Sequence, residues 1–298
     1  MKAPALQSGW ATRPGPVRPG RLRAAAQAAA LALLLALAAG PWGAGPAAAA
    51  ASHGARPSHA APSPAGPDAR ADVIAKSLDD AMGGQAAWAV VPYIRFDFVA
   101  VKDGKELGRR AHWWDKAHSR DRVEWKDKDG RAVSAIVNLF DRTGTSATDG
   151  RMDADTLLAE HVKDAYEMWV NDTYWLMMPF KLHDQGSHLT YVRTEHGAGG
   201  AHDVLSLTFD PVVGLTPKDH YWLFINQKTH LLDRWEYLLQ DQKPPPSTAT
   251  WENWQQAGPV RLSTLHHIGK RPVMLRMENL AAPATMSEAL FTNPAARG

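Results

Sequence analysis

The stretch that decides the fold is residues 93–140, YIRFDFVAVKDGKELGRRAHWWDKAHSRDRVEWKDKDGRAVSAIVNLF, where apolar and polar residues alternate. Alternation of this kind is typical of half-buried β-strands. Two Asp-Gly pairs, at Asp103–Gly104 and Asp129–Gly130, interrupt the alternation, and Asp-Gly is a strong short-range signal for a hairpin turn. The stretch therefore predicts an antiparallel meander of four successive strands, at Tyr93–Val101, Glu106–His118, Arg122–Lys126 and Val133–Phe140.

Amphipathic helices are predicted on both sides of this meander. The first, Ala71–Met82, carries apolar residues on one side and ends at Gly83–Gly84, because glycine readily adopts the left-handed conformation that closes a helix. The second, Asp153–Trp169, has apolar residues at helical spacing with charged residues opposite. The apolar segment Tyr174–Leu182 (YWLMMPFKL) follows it, and Pro179 argues there against a continuing helix or a central strand.

Further strand patterns follow the second helix and bring the total to about ten or eleven. Strands and helices do not alternate, so a doubly wound parallel sheet is not expected. A single long antiparallel sheet curls as it twists, and the two helices are natural covers for its inner face. Such a sheet encloses an apolar cavity if the helices do not fill it. The later strands are predicted at Leu189–Glu195, Asp203–Phe209, His220–Asn226, Leu231–Leu239, Thr250–Gln255, Val260–Gly269 and Val273–Asn279.

The first 51 residues predict a cleavable export signal of the general secretory type. A basic stretch without acidic residues precedes the uncharged segment Ala24–Ala39, and small residues at Ala47–Ala51 suit a signal peptidase. The apolar segment is shorter than the ~20 residues of a membrane-spanning helix, so a retained anchor is the second choice. Residues 52–69 are rich in Pro, Ala and Ser and predict a disordered linker. A folded domain is expected at 70–280, with a C-terminal tail at 281–298.

Charge and cysteine content narrow the function classes. The chain has 33 basic and 31 acidic residues, but five of the basic residues and no acidic residue lie in residues 1–51. The remaining 28 basic and 31 acidic residues give a slightly acidic protein, so nucleic acid is not an expected partner. The chain has no cysteine, which excludes disulfides, thiolate catalysis and a lipoprotein signal. The mature protein is expected to be periplasmic or secreted, without a stable membrane span after signal cleavage.

The thirteen histidines raise the question of a metal site. His112 and His118 lie in one predicted strand, where six residues separate them by ~20 Å, and Asp115 points to the other face. His266 and His267 are adjacent and point to opposite faces. This spacing favours solvated surface histidines over the alternative, a metal site built from distant parts of the chain, so no metal or cofactor is expected. HExxH, G-x-S-x-G and phosphate-loop motifs are absent as well, and no catalytic residue is assigned.

Tryptophan and methionine are the more informative residue types. Ten tryptophans lie after the predicted signal, and the segment Tyr174–Leu182 contains two adjacent methionines. Apolar stripes are usually core, so a segment that plugs the sheet is the interpretation that composition favours. The other interpretation is a soft, adaptable lining for a flexible apolar ligand.

Several motifs give the chain a resemblance to a known group of proteins. A helix ends in AMGG at Ala81–Gly84 with Trp88 nearby, and three motifs follow: WVNDTYWLMMPFKL at 169–182, LTFDPVVGLTPKDHYWLFIN at 207–226 and LLDRWEY at 231–237. Residues 70–280 thus resemble uncharacterised bacterial envelope proteins related to the LolA/LolB-like periplasmic lipoprotein carriers. The resemblance implies a mainly β (α+β) fold, a curved antiparallel half-barrel of about 10–11 strands with two or three helices closing its concave face. In the carriers, that cavity holds the acyl chains of a lipoprotein.

The expected function is non-catalytic binding of an apolar or acylated ligand, such as lipid or lipoprotein acyl chains, in a half-barrel cavity. Two alternatives stay open: a structural or protein-interaction role in the envelope with a self-filled core, and an enzyme with a site assembled from scattered His, Asp and Tyr residues. The expected partners are the ligand and, for its transfer, another envelope protein. Because strand neighbours alternate in direction, about half of the candidate lining residues are expected to face the cavity. These residues are Trp113, Trp125, Trp169, Trp175, Met177, Met178, Phe180, Trp222, Phe224 and Trp235.

Overall fold

The computed structural model describes residues 68–197, 199–296 and 298. The predicted export signal and nearly all of the predicted linker lie outside these residues. The helices are α1 (Ala69–Ala81), α2 (Gly84–Val90) and α3 (Asp155–Met177), with short 3₁₀-helices at Met178–Lys181 and Glu288–Phe291. None of the helices in these ranges is both long enough and apolar enough to cross a membrane. The strands are β1 (Tyr93–Lys102), β2 (Lys105–Asp115), β3 (Arg120–Lys126), β4 (Ala132–Asn138), β5 (Gly144–Thr148), β6 (Arg151–Met152), β7 (Ser187–Gly197), β8 (Gly200–Phe209), β9 (His220–Asn226), β10 (Leu232–Leu238), β11 (Ser247–Thr250), β12 (Glu252–Ala257), β13 (Val260–His267) and β14 (Val273–Ala281).

The predicted mainly β, antiparallel fold is confirmed, because every pair of neighbouring strands is antiparallel. The strands outnumber the predicted ten or eleven for two reasons. Strands β5 and β6 follow the meander, and β5 (GTSAT) is too polar to show an apolar alternation. The strand predicted at Thr250–Gln255 is two strands, β11 and β12, which meet at Trp251.

The strands form two sheets. The larger has nine strands in the order β12–β13–β14–β1–β2–β3–β4–β5–β6, and the smaller has five in the order β11–β10–β9–β8–β7. The larger sheet is not closed into a barrel, since β12 and β6 are its two ends. The sheets meet near the end of β11, where Ala249 forms a bridge with Ile268 and the Gly269 N–H donates to the Thr248 carbonyl at 2.8 Å.

Helix α3 lies across the nine-stranded sheet. It contacts β3, β4 and β5 towards one end of that sheet and β13 towards the other. Its first half covers a buried apolar cluster and contributes Val162 and Ala165 to it. The sheet side of this cluster consists of Val123, Trp125, Val133, Ala135 and Val137.

The C-terminal end of α3 differs from the prediction. The helix continues to Met177, so the inference that Pro179 excludes helix from the segment Tyr174–Leu182 was wrong. A proline lacks its own N–H and restricts the residue before it, and both effects fall in the 3₁₀-helix Met178–Lys181. The group that loses a partner is the Trp175 carbonyl, which in a continuing helix would accept the N–H of residue 179.

The end of α1 is fixed against the sheet at a tight corner. Gly83 follows the helix, as predicted, with φ +113°, and a Cβ at this position would lie 2.6 Å from the Pro259 carbonyl oxygen. The Arg261 N–H donates to the Met82 carbonyl at 2.8 Å. The short helix α2, which the sequence pattern did not indicate, begins immediately at Gly84. The corner between α1 and α2 therefore lies beside the start of β13.

The predicted C-terminal tail packs on the nine-stranded sheet, on the face opposite α3. Its anchor is Arg122 of β3, which is 1% exposed. The guanidinium donates to the carbonyls of Leu290 at 3.0 Å and Asn293 at 3.1 Å, and it also contacts the Ala296 carbonyl. A side chain in the middle of the meander thus holds a segment about 170 residues later in the chain.

Candidate functional site

Side chains of α3 reach the nine-stranded sheet at successive positions along the helix. His161 packs edge-on against Trp125 at 5.7 Å between ring centroids, and Trp169 packs edge-on against Trp114 at 5.5 Å. Asp172 is fully buried on the same helix. These contacts identify the face of the sheet that α3 covers, and the next turn of the helix reaches the smaller sheet.

A group of rings lies where the C-terminal end of α3 meets both sheets. Trp175 is 4.7 Å from Trp235 of β10 and 5.4 Å from His266 of β13. Trp251, between β11 and β12, lies 5.1 Å from Trp235 and 4.7 Å from His266. We call this group the aromatic cluster. It consists of Tyr174, Trp175, Tyr221, Trp235, Tyr237, Trp251 and His266.

Three hydrogen-bond donors of the aromatic cluster are buried and lack an acceptor among the described residues. They are Nε1 of Trp235, Nε1 of Trp251 and the hydroxyl of Tyr174. Burial raises the pKa of Tyr174 well above its usual value, so this hydroxyl keeps its proton. An unpaired buried donor costs about 1–3 kcal/mol, and native interiors pair nearly all such groups. The cluster therefore has hydrogen-bonding capacity that its own side chains do not use.

His266 contributes a neutral ring to the aromatic cluster. Burial lowers its pKa to about 4, and the rings of Trp175 and Trp251 pack edge-on against it. Its Nδ1 donates to the Thr250 carbonyl at 2.9 Å. The imidazole thus joins β13 to the end of β11 without bringing a charge into the cluster.

A second buried group, centred on His112, joins the C-terminal half of α3 to the sheet. Nδ1 of His112 lies 2.8 Å from Asp121 of β3, and Nε2 lies 3.0 Å from Asp172 of α3. The other carboxylate oxygen of Asp172 accepts from Arg110 at 2.7 Å. We call these four residues the His112 network. It links strands β2 and β3 to α3 through charged hydrogen bonds.

The charges of the His112 network balance at neutral pH. Burial by itself would lower the pKa of His112, but the carboxylates of Asp121 and Asp172 more than offset it and raise the pKa to about 9. Burial raises the pKa of Asp121 to about 6, against the opposing effect of His112. At pH 7 two cations, His112 and Arg110, therefore face two carboxylates, which is the condition under which buried charges are tolerated.

A third polar group brings together Ser146, Asp153 and His161. Both the Ser146 hydroxyl, at 2.7 Å, and His161 Nδ1, at 2.8 Å, meet the same oxygen of Asp153. In a nucleophilic triad the histidine lies between the serine and the acid, so that it can take the serine proton. Here the carboxylate lies between them. Both ring nitrogens of His112 are likewise held by carboxylates, so neither group pairs a nucleophile with a free base.

The predicted lining residues do not form one surface. Trp113 lies on the face of the nine-stranded sheet opposite α3, where the Arg95 guanidinium is 4.2 Å from its ring. Trp222 and Phe224 pack with Val204 on the face of the smaller sheet opposite the aromatic cluster. The other candidates lie on α3, on the 3₁₀-helix after it, or on the strand faces that α3 covers. These are Trp125, Trp169, Trp175, Met177, Met178, Phe180 and Trp235.

Several residues that pack against these candidates are not among the predicted lining residues. Trp114, next to Trp113, is the neighbour that faces α3, and Trp88 of α2 stacks on Phe180 at 4.9 Å. Strand alternation separates Trp113 from Trp114, but it does not say which of the two faces the core. Trp251 lies between two strands, where no periodic pattern applies.

The expectation of solvated histidines was wrong for three positions. His112 and His266 are fully buried and His161 is 5% exposed, because a carboxylate or a backbone carbonyl meets each ring. His118 is not in a strand but in the turn after β2, and it folds back on Asp115 at 2.9 Å. No group of three or more His, Asp or Glu side chains within 68–197, 199–296 and 298 is arranged to hold a metal ion.

Comparisons with known proteins give structural matches only. No protein-family model and no curated protein matches the sequence. The LolA superfamily protein NE2245 from Nitrosomonas europaea matches at a TM-score of 0.43 and 13% identity, over 75% of this chain and 97% of that one. A DUF1329 family protein from Desulfovibrio piger matches at a TM-score of 0.37 and 11% identity, over 70% of this chain and 96% of that one. A putative outer membrane lipoprotein-sorting protein domain from Vibrio parahaemolyticus matches at a TM-score of 0.38 and 10% identity, over 70% of this chain and 94% of that one.

Proposed function

We propose that this protein is a non-catalytic periplasmic binding protein for an acylated ligand, held between the C-terminal half of α3 and the two sheets. The observation that carries the proposal is the set of three unpaired donors in the aromatic cluster: Trp235 Nε1, Trp251 Nε1 and the Tyr174 hydroxyl. The occupant that fits these donors is apolar along most of its length and carries hydrogen-bond acceptors at one point.

Acyl chains joined through an ester or amide meet both requirements. Their methylenes gain about 0.8 kcal/mol each on burial, and the ester or amide carbonyl supplies an acceptor. Met177 and Met178 lie two and three residues after Trp175 in the chain, and both are buried. Methionine adapts its shape to an irregular apolar partner, which suits a flexible chain.

The ligand would enter at the C-terminal end of α3. This helix is tied to the sheet five residues before its end by Asp172, through His112 and Arg110. Beyond this tie, Pro179 interrupts the helical hydrogen bonds, so the 3₁₀-helix Met178–Lys181 can move without unwinding α3. Its displacement breaks the hydrogen bond from the Gln85 amide to the Phe180 carbonyl, at 3.0 Å.

The proposal is tested by titrating the purified mature protein with a phospholipid that carries brominated acyl chains. Bromine quenches tryptophan fluorescence on contact, so we expect saturable quenching. The variant Trp235→Leu should weaken binding by about ten-fold, because it removes both a large apolar contact and a donor. The matched control is Trp222→Leu, which alters a buried tryptophan on the opposite face of the same sheet and should leave the affinity unchanged.

Mass spectrometry of an organic extract of the protein, isolated from a bacterial periplasm, provides the second measurement. We expect an acylated lipid in stoichiometric amount. An extract without lipid, together with no quenching, would contradict the proposal and favour the alternative of an envelope interaction protein with a self-filled core.

A further inference from the structure

The nine-stranded sheet contains a slit between β13 and β14. The two strands pair only from Leu265–Arg276 to His267–Met274. Beyond Leu265–Arg276, the paired residues of β14 (Met277, Glu278 and Ala281) pair with β1 only, and residues 260–263 of β13 pair with β12 only. The strands therefore separate in the middle of the sheet and leave two facing backbone edges.

A bulge in β14 accounts for the separation. Between Glu278 and Ala281 the strand has one more residue than β1 has between Asp97 and Arg95. Asn279, within this bulge, has φ +53°, and its amide donates to Asp97 at 2.9 Å. An extra residue bends its strand and ends regular pairing, which turns β14 away from β13.

The far end of the slit is closed by other parts of the chain. The Met82 carbonyl accepts the Arg261 N–H of β13, at the corner between α1 and α2. A Cβ added at Gly258, in the turn before β13, would lie 3.2 Å from the Ala282 carbonyl. Between this closed end and the Leu265–Arg276 pair the slit stays open.

The open part of the slit is a pocket of about 320 Å³. This volume is at the lower end of the range for ligand sites. Arg276 lines the pocket, and its Nε is buried without an acceptor in the part of the chain that the structure describes. The guanidinium also pairs with Glu278 at 3.0 Å. The full lining is Asn253, Gln255, Thr264, Leu265, Arg276, Met277, Glu278, Asn279 and Leu280.

We propose that this slit binds an extended, uncharged peptide segment of a partner protein. The segment would lie along the open edges of β13 and β14, and one of its carbonyls would accept the Arg276 Nε–H. Peptides commonly bind by adding a strand to an unpaired sheet edge, where main-chain hydrogen bonds give the affinity. This site is separate from the acyl-ligand site of the preceding proposal and does not depend on it.

The lining matches a peptide in composition and size. Gln255 presents a side-chain amide, which can pair with a main-chain amide in either direction. The amides of Asn253 and Asn279 already donate to Thr264 and Asp97, and their carbonyl oxygens can accept from a peptide N–H. Leu265 and Leu280 offer an apolar surface to one or two side chains. The four residues from Met277 to Leu280 extend over about 13 Å, which fits a segment of three to five residues. Glu278 is already paired with Arg109 and Arg276, so no uncompensated charge selects for a charged ligand.

The experiment is a selection of random heptapeptides displayed on phage against the mature protein. Selected sequences are then synthesised with blocked ends, and their affinity is measured by calorimetry. We expect Arg276→Met, which keeps the length of the side chain but removes the donor, to weaken binding at least ten-fold. Gln255→Leu, at an exposed position of β12, should weaken it as well. The control Arg131→Met, at an exposed arginine in the turn between β3 and β4, should have no effect.

Hydrogen exchange locates the bound peptide. We expect protection of amides in 262–264 and 277–280 and of no other strand. Quenching by brominated lipid should be the same in Arg276→Met as in the unaltered protein, so this test and the acyl-ligand test can fail separately. The peptide proposal is overturned if no selected peptide depends on Arg276, or if protection appears elsewhere. It is also overturned if chito- or malto-oligosaccharides bind in an Arg276-dependent way while peptides do not.

Discussion

His112 holds a positive charge in the core because two carboxylates bracket its ring. The folded protein raises the pKa of this histidine to about 9, whereas in the unfolded chain it has its ordinary value near 6.5. Between these values the folded state keeps a proton that the unfolded state releases. The stabilisation from His112 is therefore complete below about pH 6.5 and is lost as the pH rises through 9.

We expect the free energy of unfolding to fall between pH 6.5 and 9, with a contribution from His112 approaching 1.4 kcal/mol per pH unit. The variant His112→Asn lacks this contribution, and urea unfolding at half-unit pH steps measures the difference in slope. The control is Phe140→Asn, since Phe140 is 77% exposed and carries no titrating group, so the slope should not change.

An NMR titration of the His112 ring in the unaltered protein gives an independent reading, which does not require the variant to fold. A ring that loses its proton near pH 6.5 would contradict the description of the His112 network.

Gly83 is a second single residue on which local structure depends. Its φ of +113° disfavours any side chain, and a Cβ would approach the Pro259 carbonyl to 2.6 Å. We expect Gly83→Ala to destabilise the protein by about 2–4 kcal/mol in urea unfolding. Gly130→Ala is the matched control, because Gly130 has φ +80° and open space around it. Its cost should be only about 1 kcal/mol; equal costs for both variants would contradict the proposed collision with Pro259.

At the scale of elements, α3 and the C-terminal segment are each held on the nine-stranded sheet by buried charged groups. Asp172 links α3 to β2 on one face, and Arg122 holds residues 290–296 on the other. Neither contact has a sequence signature. A buried arginine surrounded by carbonyls can be recognised only when the distant segment that supplies the carbonyls is in place.

We expect Arg122→Met to release the C-terminal segment while the sheets stay folded. The variant removes donors from several carbonyls at once, which costs about 2–4 kcal/mol locally. Limited proteolysis should cleave residues 284–296 much faster in the variant, with mass spectrometry identifying the sites. Arg131→Met serves as the control. Unchanged cleavage in Arg122→Met would show that Phe291 and Glu288, which contact Arg120, are sufficient anchors.

At the scale of the whole molecule, the aromatic cluster joins the two sheets. Trp251 is 1% exposed and lies between Trp235 of the smaller sheet and His266 of the larger. The sheets are also connected here by the Ala249–Ile268 bridge and by the Gly269 N–H, which donates to the Thr248 carbonyl. His266 Nδ1 and the His267 N–H add hydrogen bonds to the carbonyl and the hydroxyl of Thr250.

We expect Trp251→Ala to destabilise the protein by about 3–5 kcal/mol, as for other buried tryptophans. Its particular effect should be to uncouple the sheets. Amide exchange in β9 and β10 should accelerate more than in β1 to β3, because the smaller sheet loses the Trp251 contact that joins Trp235 to His266 of the larger sheet. A uniform acceleration in both sheets would mean that they remain one cooperative unit without Trp251.

The sequence by itself determined the elements of this protein where local chemistry is sufficient. Asp103–Gly104 and Asp129–Gly130 turn the meander, Gly83 ends α1, and the apolar run in His220–Asn226 predicts β9 with its observed bounds. It also indicated that Trp175 and Trp235 belong to the interior, because large apolar residues in periodic patterns are buried.

Tertiary structure decided which of these residues meet. Trp113 and Trp114 are equivalent in the pattern, and only the pairing with β1 and β3 places Trp114 under α3. His112, Asp121 and Asp172 come from three elements, and the slit at Arg276 exists because one residue in β14 has no counterpart in β1. Local sequence fixes backbone geometry over a few residues. Burial, pKa shifts and open edges depend on contacts between residues that are far apart in the chain, so they appear only in the folded molecule.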